Sequence, residues 1–147
     1  MAARLVELLG EFEVRRFPEG TRTAADAASA IGCSLGQIVK SLVFLAAGRP
    51  VVALVSGANR LDTARLGGLA GDPVVKADAE TTRVATGYAI GGVPPFGHAQ
   101  PLAIYVDRDL LGYAVVWAAA GRPDSVFAVT PERLLEISGG TPADLKA

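Results

Sequence analysis

The sequence predicts an α+β fold: one mixed, strongly curved, barrel-like β-sheet with helices around it. Three observations carry this. Short apolar runs rich in β-branched residues cluster at residues 38–46, 51–56, 102–106, 113–118 and 126–129, which is how strands read. Helical stretches with capping residues lie between some of these runs, without the strict alternation of a doubly wound sheet. The chain has 147 residues, the length of one domain and enough to bury a core without disulfide staples. Residues 1–147 are therefore read as a single domain.

Each element has a local reason. Leu5, Val6, Leu8, Leu9 and Phe12 form an apolar stripe at helical spacing, predicting a helix over residues 1–12. Residues 13–17 read as a strand before a Pro18-Glu19-Gly20 turn. Thr23 and Asp26 have capping-box spacing, so a helix should run through Ala27, Ala28 and Ile31 and stop at Gly32. The runs at 38–46 and 51–56, separated by Ala47-Gly48-Arg49-Pro50, read as a hairpin. Asn59-Arg60-Leu61-Asp62 is a second N-cap signature, opening a helix that ends near Gly67-Gly68. Asp78 caps a third helix, ended by Gly87. A Gly/Pro loop and three short strands follow. Thr130 before Pro131 opens the last helix, through Leu134, Leu135 and Ile137 to Gly139-Gly140.

Bulk composition excludes several classes. Half the residues are apolar, 20% are charged and the net charge is −1. That excludes a disordered chain, a collagen and a disulfide scaffold. It also argues against a strongly basic nucleic-acid binder. One cysteine (Cys33) and one histidine (His98) allow no internal disulfide and no His/Cys zinc site. No metal and no cofactor are expected: no Gly-x-Gly-x-x-Gly follows a strand and no P-loop occurs. No apolar run approaches the ~20 residues that span a bilayer, and the N-terminus lacks the apolar stretch of a signal peptide. A soluble cytoplasmic protein with no membrane partner is the expectation.

Four segments could carry chemistry. Lys40 lies in a strand run, on the face of Ile38, Leu42 and Phe44, with Ser41 on the other face beside Val39 and Val43. It is either a strand-end lysine that snorkels to water or a cation at a pocket edge. Gly91-Gly92-Val93-Pro94-Pro95-Phe96-Gly97-His98 is either a rigid turn or a loop whose amides face a developing oxyanion. His98 is the natural acid/base candidate near neutral pH, or a structural hydrogen bonder. A Cys33–His98 nucleophilic pair is conceivable, against the plainer reading of Cys33 as a small buried hydrophobe. Finally, Val55-Ser56-Gly57-Ala58-Asn59-Arg60-Leu61-Asp62 ends a strand and opens a helix. Its N-terminus suits an anion; the alternative reads Asn59 and Asp62 simply as caps, and Arg60 faces either ligand or solvent. Asp107 and Asp109 read as solvated capping residues.

In order along the chain, Thr21-Arg22-Thr23-Ala24, Gly36-Gln37-Ile38-Val39-Lys40-Ser41-Leu42-Val43-Phe44, Val55-Ser56-Gly57 with Asn59-Arg60-Leu61-Asp62, and the loop from Gly91 to His98 resemble the YbaK/ProX family of aminoacyl-tRNA deacylases. That family also occurs as the editing domain of bacterial prolyl-tRNA synthetases. The resemblance spans about residues 20–146. It implies a YbaK-like editing-domain fold and metal-free hydrolysis, in the cytoplasm, of the ester joining a wrong amino acid to tRNA. It further implies that the protein supplies no conventional nucleophile and that assistance comes from the ribose hydroxyl or, in a cysteine-specific branch, the substrate thiol.

On this resemblance Lys40, Gly92, Gly97 and His98 are the catalytic positions. Lys40 would hold the terminal adenosine or the ester carbonyl, the loop amides the aminoacyl group and oxyanion, and His98 a hydroxyl. Arg22, Thr23, Ser41, Ser56, Asn59, Arg60, Gly91, Val93, Pro94, Pro95 and Phe96 form the substrate-binding set. The expected partners are the acceptor end of an aminoacyl-tRNA and prolyl-tRNA synthetase, with no DNA. The expected substrate is tRNA-Pro carrying a small wrong residue such as Ala or Cys, met in trans. The chain departs from the cysteine-specific branch at Ala118-Ala119-Ala120-Gly121-Arg122-Pro123-Asp124-Ser125, where that branch has Ser-Gly-Gly and a later Asp. The small residues at 118–120 suit a tight pocket for a small side chain such as alanine. A non-catalytic module that grips the tRNA end or a synthetase is the alternative, and a thiol hydrolase using Cys33 a third.

Overall fold

The computed structural model describes residues 3–17 and 23–147; the Pro18-Glu19-Gly20 turn and Arg22 lie outside the described residues. In order come α1 (Ala3–Leu9), β1 (Val14–Arg16), α2 (Ala24–Ile31), β2 (Val39–Ala46), β3 (Arg49–Ser56), α3 (Thr63–Ala70), β4 (Val74–Lys76), α4 (Ala79–Thr86), β5 (Ala103–Asp107), β6 (Val116–Ala119), β7 (Ser125–Val129), α5 (Pro131–Ser138) and β8 (Thr141–Ala143). Short 3₁₀ turns occupy Leu35–Gln37 and Arg108–Gly112.

The β2–β3 hairpin is the centre. Its connection is tighter than expected: only Ala47 and Gly48 turn, at φ 49° and 80°, and Arg49 and Pro50 already pair with Ala46 and Leu45. Two consecutive left-handed residues give the two-residue turn whose twist matches the flanking strands. Around the hairpin forms a five-stranded mixed sheet, β4-β2-β3-β5-β8, in which β2 pairs antiparallel with β3 and β4, and β5 pairs parallel with β3 and β8. A second, antiparallel sheet runs β1-β7-β6. The two meet at a parallel bridge between Ile38 and Trp117. The α+β class therefore stands, but the expected single barrel-like sheet is two open sheets. The reason is local: β4 covers the outer edge of β2 only at 44–46, and β6 reaches that edge only at Ile38.

Thr23, Asp78 and Thr130 cap α2, α4 and α5 as their spacing predicts, accepting from the amides of Asp26, Thr81 and Arg133 at 3.1, 2.8 and 3.3 Å. The helix after β3 is different. Asp62, not Asn59, caps it, accepting from Ala64 and Arg65 amides at 3.0 and 3.1 Å. It also runs through Gly67-Gly68 to Ala70. Gly67 is tolerated inside the helix because a Cβ there would meet the Asp72 carbonyl at 3.1 Å. The missing side chain lets the turn into β4 pack close.

Both faces of the hairpin are buried. Val39, Val43, Val52 and Leu54 join Val106, Phe127 and Leu134 on one side. Phe44, Val51, Ala53 and Val55 pack with Leu66 and Leu145 on the other. A third cluster, Ala27, Ala28, Ile38, Trp117 and Val126, fills the seam between the sheets. Among the described residues no helix is long and apolar enough to cross a membrane.

Candidate active site

The cleft follows from the unsealed edge of β2. The Gly57 amide donates to the Ile38 carbonyl at 2.7 Å, so antiparallel alternation turns the main-chain groups of Val39, Ser41 and Val43 toward the outer edge. The Val43 carbonyl there accepts from Ala77 N at 3.1 Å. Ahead of that contact, residues 39–42 border a cleft of about 340 Å³. Its other walls are Thr23 and Ala27 of α2, Trp117 and Ala119 of β6, Ser125 of β7, and the loop residues Ile90, Gly91 and Val93.

The walls are mostly apolar, and Lys40 is the one Lys, Arg, His, Asp or Glu among the described lining residues. Lys40 Nζ donates to the Asn59 carbonyl at 2.6 Å. An ammonium has three donors, so two remain for a ligand. Burial pushes its pKa below the usual lysine value, and the nearby Asp107 charge pulls the other way. Ser41 Oγ is buried without a hydrogen-bond partner among the described residues. Strand alternation assigned Lys40 and Ser41 to opposite faces; both border the cleft because it opens at the strand's edge, where the two faces meet.

The segment after β3 supports this corner from behind. Ser56 Oγ donates to the Gly36 carbonyl at 2.7 Å inside the fold, and Ser56 does not line the cleft. Asp107, at the end of β5, is 1% exposed. Its carboxylate accepts from Ser56 N at 3.1 Å, Asn59 Nδ2 at 2.9 Å and Asp109 N at 3.0 Å. The capping reading thus holds for the Asp109 amide, but the solvated one does not: Asp107 is a buried brace. Asn59 Nδ2 also reaches Asp109 Oδ2 at 2.8 Å. Arg60 is exposed and outside the cleft wall; its carbonyl accepts from Ala147 N at 2.8 Å.

Of the loop residues, Gly91 and Val93 reach the wall. Gly92 N is engaged by the Ala89 carbonyl at 2.9 Å. A Cβ on Gly92 would sit 2.9–3.1 Å from the Arg122 main chain, so glycine permits that packing. Pro94 and Pro95 are buried, and Phe96 stacks edge-on against Phe127, ring centroids 6.0 Å apart. His98 Nε2 lies 2.7 Å from the Pro94 carbonyl. A carbonyl only accepts, so Nε2 carries the proton and Nδ1 is bare. Burial also holds the imidazole below its ordinary pKa. Tyr88 OH donates to the Gly97 carbonyl at 2.9 Å. His98, Gly97, Pro94, Pro95 and Phe96 therefore brace the loop and stand outside the cleft wall. Cys33 is half-buried, and desolvation raises its thiol pKa, the opposite of what a thiolate nucleophile needs.

The model of a family described as "Aminoacyl-tRNA editing domain" matches residues 18–137. The chain belongs to this family. The expected class of activity, aminoacyl-tRNA deacylation, is that of the editing domain. One solved relative is described as a candidate trans-editing enzyme for prolyl tRNA synthetase; it is 45% identical with a TM-score of 0.91, covering 100% of this chain and 99% of its own. EbsC of Enterococcus faecalis, named as a candidate Cys-tRNA(Pro)/Cys-tRNA(Cys) deacylase, is 29% identical over 84% of this chain and 76% of its own length. A proline–tRNA ligase of Nitratidesulfovibrio vulgaris is 32% identical over 72% of this chain but only 19% of the ligase. This editing-domain chain thus corresponds to a small part of that synthetase.

Of the sequence-selected residues, Thr23, Lys40, Ser41, Gly91 and Val93 come together on the cleft. Sequence reasoning missed Trp117, in a short strand with no motif of its own, and did not select Ser125, at the end of the 118–125 stretch. It also missed Asp107, whose one signal was an acid directly following an apolar strand run.

Proposed function

We propose that this editing domain is a trans-acting deacylase that hydrolyses the ester of tRNA-Pro mischarged with a small amino acid such as Ala or Cys. The carrying observation is Lys40, the one charged side chain among the described lining residues, held by the Asn59 carbonyl at the edge of an apolar cleft that Ser41 also lines. The ester is already activated, so positioning and oxyanion stabilisation suffice, with the ribose hydroxyl or substrate thiol assisting. Lys40 directs its free donors to the ester carbonyl or the terminal adenosine. Gly91 and Val93 line the aminoacyl side with Ala119, which favours small side chains. Size alone discriminates by only ~1–3 kcal/mol per methylene, so the substrate range is narrow rather than absolute. His98, Gly92 and Gly97 contribute by holding the loop, and contact with the acceptor end alone fits the net charge of −1. The relatives named for prolyl-tRNA editing favour tRNA-Pro, and the proposed place of action is the cytoplasm.

The test is ester loss from tRNA-Pro charged with Ala, Cys, Ser or Pro. Alanyl or cysteinyl ester should disappear and prolyl ester persist, and Lys40→Ala should slow the reaction ~10²-fold, as for loss of an oxyanion donor. Binding without turnover on every substrate would identify a non-catalytic module instead. Full activity in Lys40→Ala would remove the mechanism.

A further inference from the structure

The deacylation chemistry leaves Asp107 unused, yet it is the most fully engaged acid in the site. A buried carboxylate is unfavourable unless several donors and a cation compensate it. Its donors come from both ends of the turn after β3: Ser56 N at 3.1 Å and Asn59 Nδ2 at 2.9 Å. The turn itself closes through Asn59 N to the Ser56 carbonyl at 2.9 Å. The carbonyl of that same Asn59 receives Lys40 Nζ at 2.6 Å. A chain of contacts thus runs from β5 to the cleft: Asp107, Asn59, Lys40.

We propose that Asp107 is the positioning residue for Lys40: its carboxylate fixes Asn59, and the Asn59 carbonyl aims the ammonium into the cleft. Lysine is a point charge on a flexible four-carbon stem, so an aimed ammonium needs such a fixed acceptor. Asp107 also supplies negative charge near Lys40, opposing the desolvation that disfavours its protonated form. Among the described residues, the charged groups bonded into this corner are Asp107 from β5, Asp109 from the following 3₁₀ turn, and Lys146, whose Nζ lies 3.2 Å from Asp109 Oδ2. The described cleft walls from α2, β6, β7 and the glycine loop add no charged side chain. Only the kinetic consequence rests on the deacylase reading; the placement of Lys40 does not.

The chain has three lysines, Lys40, Lys76 and Lys146, so lysine labelled with ¹³C at Cε gives an NMR titration with few signals. Asp107→Asn keeps the size and an acceptor oxygen but removes the charge. Lys40 should then lose its proton at lower pH than in the wild type, while Lys76 is unmoved. kcat/KM on the charged tRNA should fall about tenfold, the scale of a charge-assisted hydrogen bond, with the alkaline limb of the pH profile displaced to lower pH. A purely structural Asp107 would lower stability and leave the Lys40 midpoint and the limb in place. If Asp107→Asn does not fold, Asn59→Ala cuts the same chain, and the Lys40 Cε signal should move toward that of exposed Lys76. An unchanged Lys40 signal and midpoint in a folded variant would overturn the proposal. A wild type inactive on every charged tRNA would instead overturn the deacylase reading, with the lysine titration still deciding the role of Asp107.

Discussion

Replacing Ser41 with alanine should make the protein more stable and less active. Ser41 Oγ is buried with no hydrogen-bond partner among the described residues. Mutational data put the penalty for such a hydroxyl at about 1–3 kcal/mol. Alanine keeps the Cβ and removes one oxygen, so little packing is lost. We take the lower end, about 1 kcal/mol of gained stability, which corresponds to a rise of about 4 °C in Tm for a chain of this size. Urea unfolding can follow this directly. The chain has one tryptophan, Trp117, and it is buried in the cleft wall, so its emission reports both unfolding and the state of the site. In parallel, the variant should lose about 3–10-fold in deacylation, the value of one neutral hydrogen bond to substrate. The two effects must appear together. A less stable variant would mean that the hydroxyl has a partner within the folded protein. A stabilised but fully active variant would mean that it never meets the substrate.

Four further outcomes are expected. Because burial lowers the Lys40 pKa, activity that needs the ammonium should fade at a pH below the usual lysine value of about 10.4. In the same window the unfolded chain keeps a proton that the folded chain has lost, so this group makes stability rise with pH; urea titrations at several pH values check the sign. Gly92→Ala should destabilise by about 1–3 kcal/mol, since its Cβ would press on the Arg122 main chain at 2.9–3.1 Å. Gly68→Ala, facing open space in α3, should be neutral or stabilising in the same denaturation assay. Ala47→Asn should stabilise the hairpin by about 0.5–1 kcal/mol, because Asn tolerates the left-handed conformation that Ala47 holds at φ 49°; equal or lower stability would refute that.

Much of the fold was legible because its determinants are local. Thr23, Asp78 and Thr130 announce their helices through side-chain caps that need no tertiary partner. Val39, Val43, Val52 and Leu54 carry the hairpin through alternation. The three-residue strands β4 and β8 were not legible, since each exists only by pairing with a longer neighbour. Asn59 misled for a physical reason: Asn and Asp both cap helices, and only the folded chain shows Asp62 taking the cap while Asn59 turns to Asp107. In the site, Lys40, Ser41, Gly91 and Val93 were readable as odd residues in strand and loop. Trp117 and Ser125 were not, because they reach the cleft only through the meeting of two sheets. His98 drew attention by chemistry alone, and its bond to Pro94 assigns it to the loop.

The failure of the barrel expectation and the existence of the cleft are one fact. An exposed strand edge is ordinarily a liability, and folds cover it. Were β6 paired along β2 beyond Ile38, residues 39–42 would lie in a continuous sheet. Lys40 would then be a strand lysine with no cavity beside it, and Ser41 would have no open wall to border. Instead β4 seals the far end at 44–46, Trp117 touches the near end at Ile38, and the intervening edge stays open under the Gly91–Val93 loop. Lys40, bonded to the Asn59 carbonyl, stands at that edge beside mostly apolar walls. That edge, with Lys40 as the one charged side chain among the described lining residues, is where the proposed ester substrate would be held.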